Sequence, residues 1–104
     1  MIEIEKIIDS VTLQKYRYSR HGDKERQNDR LTMDEVEQAM LNGRIIEQYP
    51  DTGRGESCLL AGFTDKGKPV HIVCGDMGEM LAIITMYIPT PPKFINPFER
   101  GRKP

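Results

Sequence analysis

A chain of 104 residues, 38% apolar and 30% charged, is long enough for one packed core that buries about two-thirds of the unfolded surface, and too patterned to be disordered. A net charge of -1 excludes a uniformly cationic nucleic-acid binder. The longest apolar stretch, Met80 to Ile88, is far short of the ~20 residues that span a bilayer, and Met1-Ile2-Glu3-Ile4-Glu5-Lys6 lacks the basic-then-apolar order of a signal peptide, so a cytoplasmic protein with no membrane partner is expected.

Ile4, Ile7, Ile8 and Val11 recur at helical spacing, which predicts an amphipathic helix over residues 2 to about 14. Tyr16-Arg17-Tyr18-Ser19 alternates aromatic and polar and reads as a short extended piece, and Ser19 is placed to cap a brief polar helix through Asn28. The strongest local signal follows. Thr32 and Glu35 form a capping box, Leu31 and Val36 are spaced as a hydrophobic staple, and Gly43 stands where a left-handed C-cap belongs, so a helix over 33–42 is predicted.

Strands are then expected at 44–49, 57–64, 69–75 and 81–88, separated by Gly53-Arg54-Gly55, Asp65-Lys66-Gly67-Lys68 and Asp76-Met77-Gly78-Glu79. A turn centred on Lys66 pairs Cys58 with Cys74 and Ala61 with His71, and strand alternation puts the cysteines and the histidine on opposite faces. The two thiols read as small buried hydrophobes kept reduced in a cytosol, or as a bridge if that setting is wrong. A zinc site needs more ligands than they offer with a histidine on the other face, so neither a structural metal nor a cofactor is expected. The proline-rich tail, Pro89 to Pro104, cannot join a sheet interior and should wrap the surface as polyproline-like coil pinned by Phe94 and Phe98. The fold class is therefore α+β in one domain: a helical part over 1–43, a four-stranded antiparallel meander over 44–88 with helices packed on one face, and the tail over 89–104.

There is no Walker loop, GxGxxG, HExxH, GxSxG or paired CxxC. What remains is a scattered set: His21, Arg26, Arg30, Arg54, His71, Tyr87 and Lys93. Charge is also uneven. Six cations against three anions give +3 between Lys15 and Arg30, and four against one give +3 between Lys93 and Pro104. Together they would form the basic footprint a phosphate backbone needs; apart, they merely solvate two surfaces. Metal-free RNA cleavage is a chemistry such a set can serve, because the substrate's own 2′-hydroxyl is the nucleophile and the protein supplies a base, an acid and a cation. His71, alone in the run Pro69-Val70-His71-Ile72-Val73-Cys74, is either that acid or base or a hydrogen-bonded structural residue. His21 with Arg26 and Arg30 is a phosphate-binding face or a solvated helix.

Ser19-Arg20-His21, Leu31 through Ala39, Asn42-Gly43-Arg44-Ile45-Ile46-Glu47, Leu60-Ala61-Gly62, Pro69 through Val73 and Ile84-Thr85-Met86-Tyr87, in that order, resemble the bacterial family called domain of unknown function 4258. The resemblance covers about Lys15 to Tyr87, and the Pro91-Pro92-Lys93-Phe94 tail looks like a subfamily feature. It implies the toxin half of a toxin-antitoxin pair, encoded beside a small zinc-finger antitoxin, with a layout similar to the RelE and MqsR RNA interferases. It also marks His21 and His71 as the family's two histidines and Tyr87 as a third site residue. Many relatives carry an arginine four residues after the first histidine; this chain has Glu25 there and Arg26 one step later. The expected function is a metal-independent endoribonuclease, with His71, Tyr87 and His21 catalytic, Arg26, Arg54 and Lys93 on phosphates, and RNA and an antitoxin as partners. The alternative is a non-enzymatic interaction module whose sheet edge and tail dock a protein partner.

Overall fold

The computed structural model describes residues 1–89 and 94–100, in the order α1 (Ile4–Thr12), β1 (Tyr16–Tyr18), α2 (Arg20–Asn28), α3 (Met33–Leu41), β2 (Arg44–Tyr49), β3 (Ser57–Phe63), β4 (Pro69–Met77), β5 (Met80–Tyr87), β6 (Phe94–Asn96) and β7 (Glu99–Arg100). β2 to β5 form the expected antiparallel meander, in the expected register: Cys58 faces Cys74 and Ala61 faces His71. The sheet has five strands, however, and is mixed. β1 adds in parallel along the outer edge of β5, pairing Tyr16, Arg17 and Tyr18 with Leu81, Ala82 and Ile83. Three residues suffice there because the backbone before and after them is also bonded to β5: Lys15 accepts from the Leu81 N–H at 3.0 Å, and the Ser19 N–H donates to Ile83 O at 2.9 Å.

Helix ends explain the boundaries. α1 starts later than its apolar pattern because the backbone of Ile2 is held extended by both ends of the Gln48 side-chain amide, at 3.1 and 2.8 Å. It stops at Leu13 in a Schellman motif: Gln14 turns left-handed at φ 57° and the Lys15 N–H reaches back to Ser10 O at 2.7 Å. α2 ends the same way, with Arg30 at φ 57° and the Leu31 N–H on Arg26 O at 3.0 Å. Ser19 caps its start, accepting from the Gly22 N–H. α3 carries the expected capping box in full. Gly43 does not take the left-handed conformation expected of it. Its missing Cβ serves close packing instead, since a Cβ would lie 2.8 Å from both Ala39 O and the Leu60 side chain.

One face of the sheet carries Cys58, Leu60, Val70, Ile72, Cys74, Leu81, Ile83 and Met86 against Ile7, Val11, Leu31, Val36, Ala39 and Met40 of the helical layer, and this is the core. The facing thiol of Cys58, together with burial, pushes the Cys74 thiol well above its ordinary pKa, and both cysteines are free. The opposite face carries Leu59, Ala61 and His71, all essentially buried although no helix among the described residues covers them. Their cover includes the C-terminal segment. Where a coil was expected, β6 and β7 form a small antiparallel hairpin closed by Pro97 and Phe98, with Asn96 paired to Glu99. Asn then Pro is turn chemistry, because proline presets φ at the second turn position. Phe98 does pin the segment; the Phe94 side chain and the polyproline coil expected through Lys93 lie outside the described residues. No helix among the described residues is long and apolar enough to cross a membrane.

Candidate functional site

The strand register assembles one row across the helix-free face. Arg44 on β2 pairs with Ala61 on β3, Ala61 with His71 on β4, and His71 with Tyr87 on β5. Alternation puts all four side chains on that face, because residues opposite each other across a ladder point the same way. His71 is 0% exposed. Its Nδ1 lies 3.3 Å from the Tyr87 hydroxyl, with the two rings 5.3 Å apart between centroids, and its Nε2 meets the Pro97 carbonyl. A carbonyl only accepts, so Nε2 carries the proton; in the neutral ring Nδ1 is then the acceptor, and the Tyr87 O–H donates to it. Tyr87 can equally accept from Nδ1–H, so it supports the imidazole in either tautomer and the imidazolium as well.

Phe98 sits beside this pair, half-buried. Its ring packs on Phe63 with centroids 5.8 Å apart and planes at 59°, and the Arg44 guanidinium carbon lies 4.1 Å from its centroid. Arg44 is the site residue that sequence reasoning passed over. Plain register arithmetic does not find it: the pairs next to the β2–β3 turn, Tyr49 with Ser57 through Glu47 with Leu59, would extend to Ile45 opposite Ala61, and a bulge at Ile46 shifts the ladder by one residue and brings Arg44 there instead.

The other expected residues are spread out. His21 is exposed on the first turn of α2, beyond the outer edge of β5, where Gly22 packs so closely that a Cβ would lie 2.5 Å from Ile83 O. Arg26 is engaged in holding α2 in place: it pairs with Asp23 at 2.8 Å, donates to Leu31 O at 2.9 Å and covers the Tyr18 ring at 5.6 Å. Arg54 is exposed in the β2–β3 loop, where the Asp51 carboxylate gathers the N–H groups of Gly53 and Gly55 and is held below its ordinary pKa by them. That loop abuts Asp76, five residues along β4 from His71, or roughly 16 Å at strand rise. Lys93 lies outside the described residues. Of the expected set, then, the structure brings together His71 and Tyr87, and adds Arg44 about two strand spacings, roughly 10 Å, away from the histidine.

A second aromatic cluster stands on the core side of β1. Burial, with Glu37 and Asp23 adding to it against the opposing Arg26, pushes the Tyr18 phenol up to about 12, and its hydroxyl is buried without a hydrogen-bond partner among the described residues. Tyr16 is raised too, first by burial and then by its hydrogen bond to Glu37. Both phenols stay protonated at neutral pH. No group of three or more His, Cys, Asp or Glu side chains that could hold a metal ion occurs among the described residues.

The model of the family described as Domain of unknown function (DUF4258) matches residues 18–88, from the last residue of β1 to the residue after β5. No curated protein and no solved structure matches the chain. The matched span contains α2, α3 and all four strands of the meander, and with them Arg44, His71 and Tyr87, but it stops short of the hairpin. On that match the chain belongs to the DUF4258 family.

Proposed function

We propose that this protein is the toxin component of a toxin-antitoxin pair, with the RelE-type layout of an RNA interferase, and that it cuts RNA without a metal. The observation that carries the reading is the His71–Tyr87 pair, 3.3 Å apart in one sheet row with a guanidinium on the same face. In this scheme the Nδ1–H tautomer, bonded to the Tyr87 oxygen, frees Nε2 to take the proton from a 2′-hydroxyl. The 2′-oxygen bonds to phosphorus as the bond from phosphorus to the 5′-oxygen breaks, a 2′,3′-cyclic phosphate remains, and an acid returns a proton to the departing 5′-oxygen. Arg44 offsets charge on the pentacoordinate phosphorus; His21, Arg26, Arg54 and Lys93 fall to flanking phosphates. The inhibitory partner is an antitoxin, of the zinc-finger type that the family resemblance implies. Wild type and His71→Ala are to be expressed in bacteria. Wild type should arrest growth and leave cyclic-phosphate ends on RNA, insensitive to chelators, and His71→Ala should do neither; a wild type that cuts no RNA under any condition refutes the reading.

The complete burial of His71, with both ring nitrogens engaged, favours a second reading, an interaction module in which the histidine braces the sheet. Under it, His71→Ala lowers stability and changes no RNA.

A further inference from the structure

The contacts of Phe98 describe a site with an occupant. The Phe98 ring has the Arg44 guanidinium carbon over it at 4.1 Å and Phe63 tilted against it at 59° with centroids 5.8 Å apart, and one residue away an oxygen accepts from His71 Nε2. Proteins hold unstacked bases of single-stranded RNA in this manner, on aromatic rings and guanidinium planes, with sugar or phosphate oxygens meeting the donors alongside. The occupant comes from residues 94–100, beyond the span the family model matches, whereas both walls and the donor lie inside it. The residues that form the slot therefore lie within the matched span, and the ring that fills it lies beyond it.

We infer that the Arg44–Phe63 slot is a nucleobase subsite for single-stranded RNA, filled in the resting chain by its own Phe98, with the Pro97 carbonyl standing where a ribose or phosphate oxygen would meet His71. The inference rests on the RNA reading above and sharpens it, because it says which base is gripped: the one adjoining the bond over His71. It also says how the tail acts, as a competitor for that subsite. A base must displace the ring, so apparent affinity is reduced by the fraction of molecules in which the slot is open.

The test uses the full-length chain and a fluorescent, mixed-sequence hexanucleotide with 2′-O-methyl sugars, which binds and cannot be cut. Phe98→Ala should bind it about tenfold more tightly than wild type, the ring contacts being the part of the closed state it removes. Phe98→Leu, which keeps apolar bulk under the hairpin, should bind more tightly as well, so the inference remains testable if the alanine variant does not fold. Adding Phe63→Ala should abolish the gain. Adding Arg44→Lys should remove most of it, since an ammonium keeps the charge and loses the stacking plane. If folded Phe98→Leu and Phe98→Ala bind no better than wild type, or if the gain survives Phe63→Ala, the slot is refuted. A 2′-hydroxyl hexanucleotide separates the two ideas. Tighter binding without cleavage upholds the slot and sinks the nuclease; cleavage with unchanged affinity does the reverse.

Discussion

Gly62→Ala tests the packing that places the site. Gly62 lies on the core face of β3, directly beneath the backbone of α3, and a Cβ there would stand 1.9 Å from Ala39 O and 2.7 Å from Ala39 C. Reaching an ordinary contact of 3.4 Å requires 3.4 − 1.9 = 1.5 Å of movement, and the obstacle is helix backbone, which cannot rotate away. Lifting α3 by that distance strips contacts from Val36, Ala39 and Met40, all 0% exposed, and strains the Asn42 side chain, which bonds both the N–H and the carbonyl of Phe63 at 3.0 and 2.7 Å. A gap of even ~1 Å forfeits up to about half of a dispersion well, so the three side chains and the bridge together lose about 3 kcal/mol. For a domain of this size that lowers Tm by roughly 15 °C. Urea unfolding followed by circular dichroism measures it, with Gly67→Ala as control: Gly67 sits at φ +82° with nothing within 4 Å of a Cβ, so only the left-handed penalty of about 1 kcal/mol applies. If Gly62→Ala loses no more than Gly67→Ala, with an unchanged slope, the close helix–sheet approach does not govern stability and the reasoning fails.

Tyr18→Phe removes the one buried side-chain hydroxyl lacking a partner among the described residues, and stability should rise by about 1 kcal/mol, read as a higher urea midpoint; a fall would mean that the hydroxyl is satisfied in solution. Asp76 is held below its ordinary pKa of 3.8 by the Gly78 N–H and then by Lys6, so its contribution is present above that value and is lost as pH falls through the lower, folded-state pKa. The stability difference between wild type and Asp76→Asn should accordingly shrink as pH falls below the ordinary carboxylate value of 3.8, and a difference that stays constant as the solution is acidified would contradict the assignment. Cys58 and Cys74, both 0% exposed, should react with a thiol reagent only at the global unfolding rate, and fast labelling under native conditions would count against the described core.

What the sequence discloses here is what local chemistry and period-two alternation can carry. The Thr32–Glu35 box marks α3, and the turn at Lys66 aligns Cys58 with Cys74 because both signals lie within a few residues of their consequence. At β1 the alternation of Tyr16 to Ser19 discloses an extended piece and not its partner, since these residues join the sheet only by meeting Leu81 to Ile83, more than sixty residues away in sequence. The left-handed helix stops were misplaced for a chemical reason. Glycine is the usual marker, but in this chain Gln14 and Arg30 adopt the conformation, and Gly43 is spent on proximity to Leu60. The Asn96-Pro97 turn was readable, and the weight given to proline as a strand breaker hid it.

The two readings of His71 separate according to which of its partners can leave. Tyr87 is carried by β5 in the interior of a five-stranded sheet and cannot move without breaking a ladder; Pro97 and Phe98 are carried by a two-stranded hairpin paired only with itself among the described strands. Such a hairpin has little independent stability, so its seat depends on the contacts it makes: an aromatic pair, a cation over a ring and a hydrogen bond to a buried imidazole. At about 1 kcal/mol or somewhat less apiece these three contacts contribute about 2 kcal/mol, and on the proposed reading that share alone would raise an apparent dissociation constant about thirtyfold. Were the protein the proposed nuclease, a contribution of that size would hold activity down at low RNA concentration and still be small enough for a bound strand to overcome, so complete burial of His71 in the resting chain does not by itself exclude the proposed role.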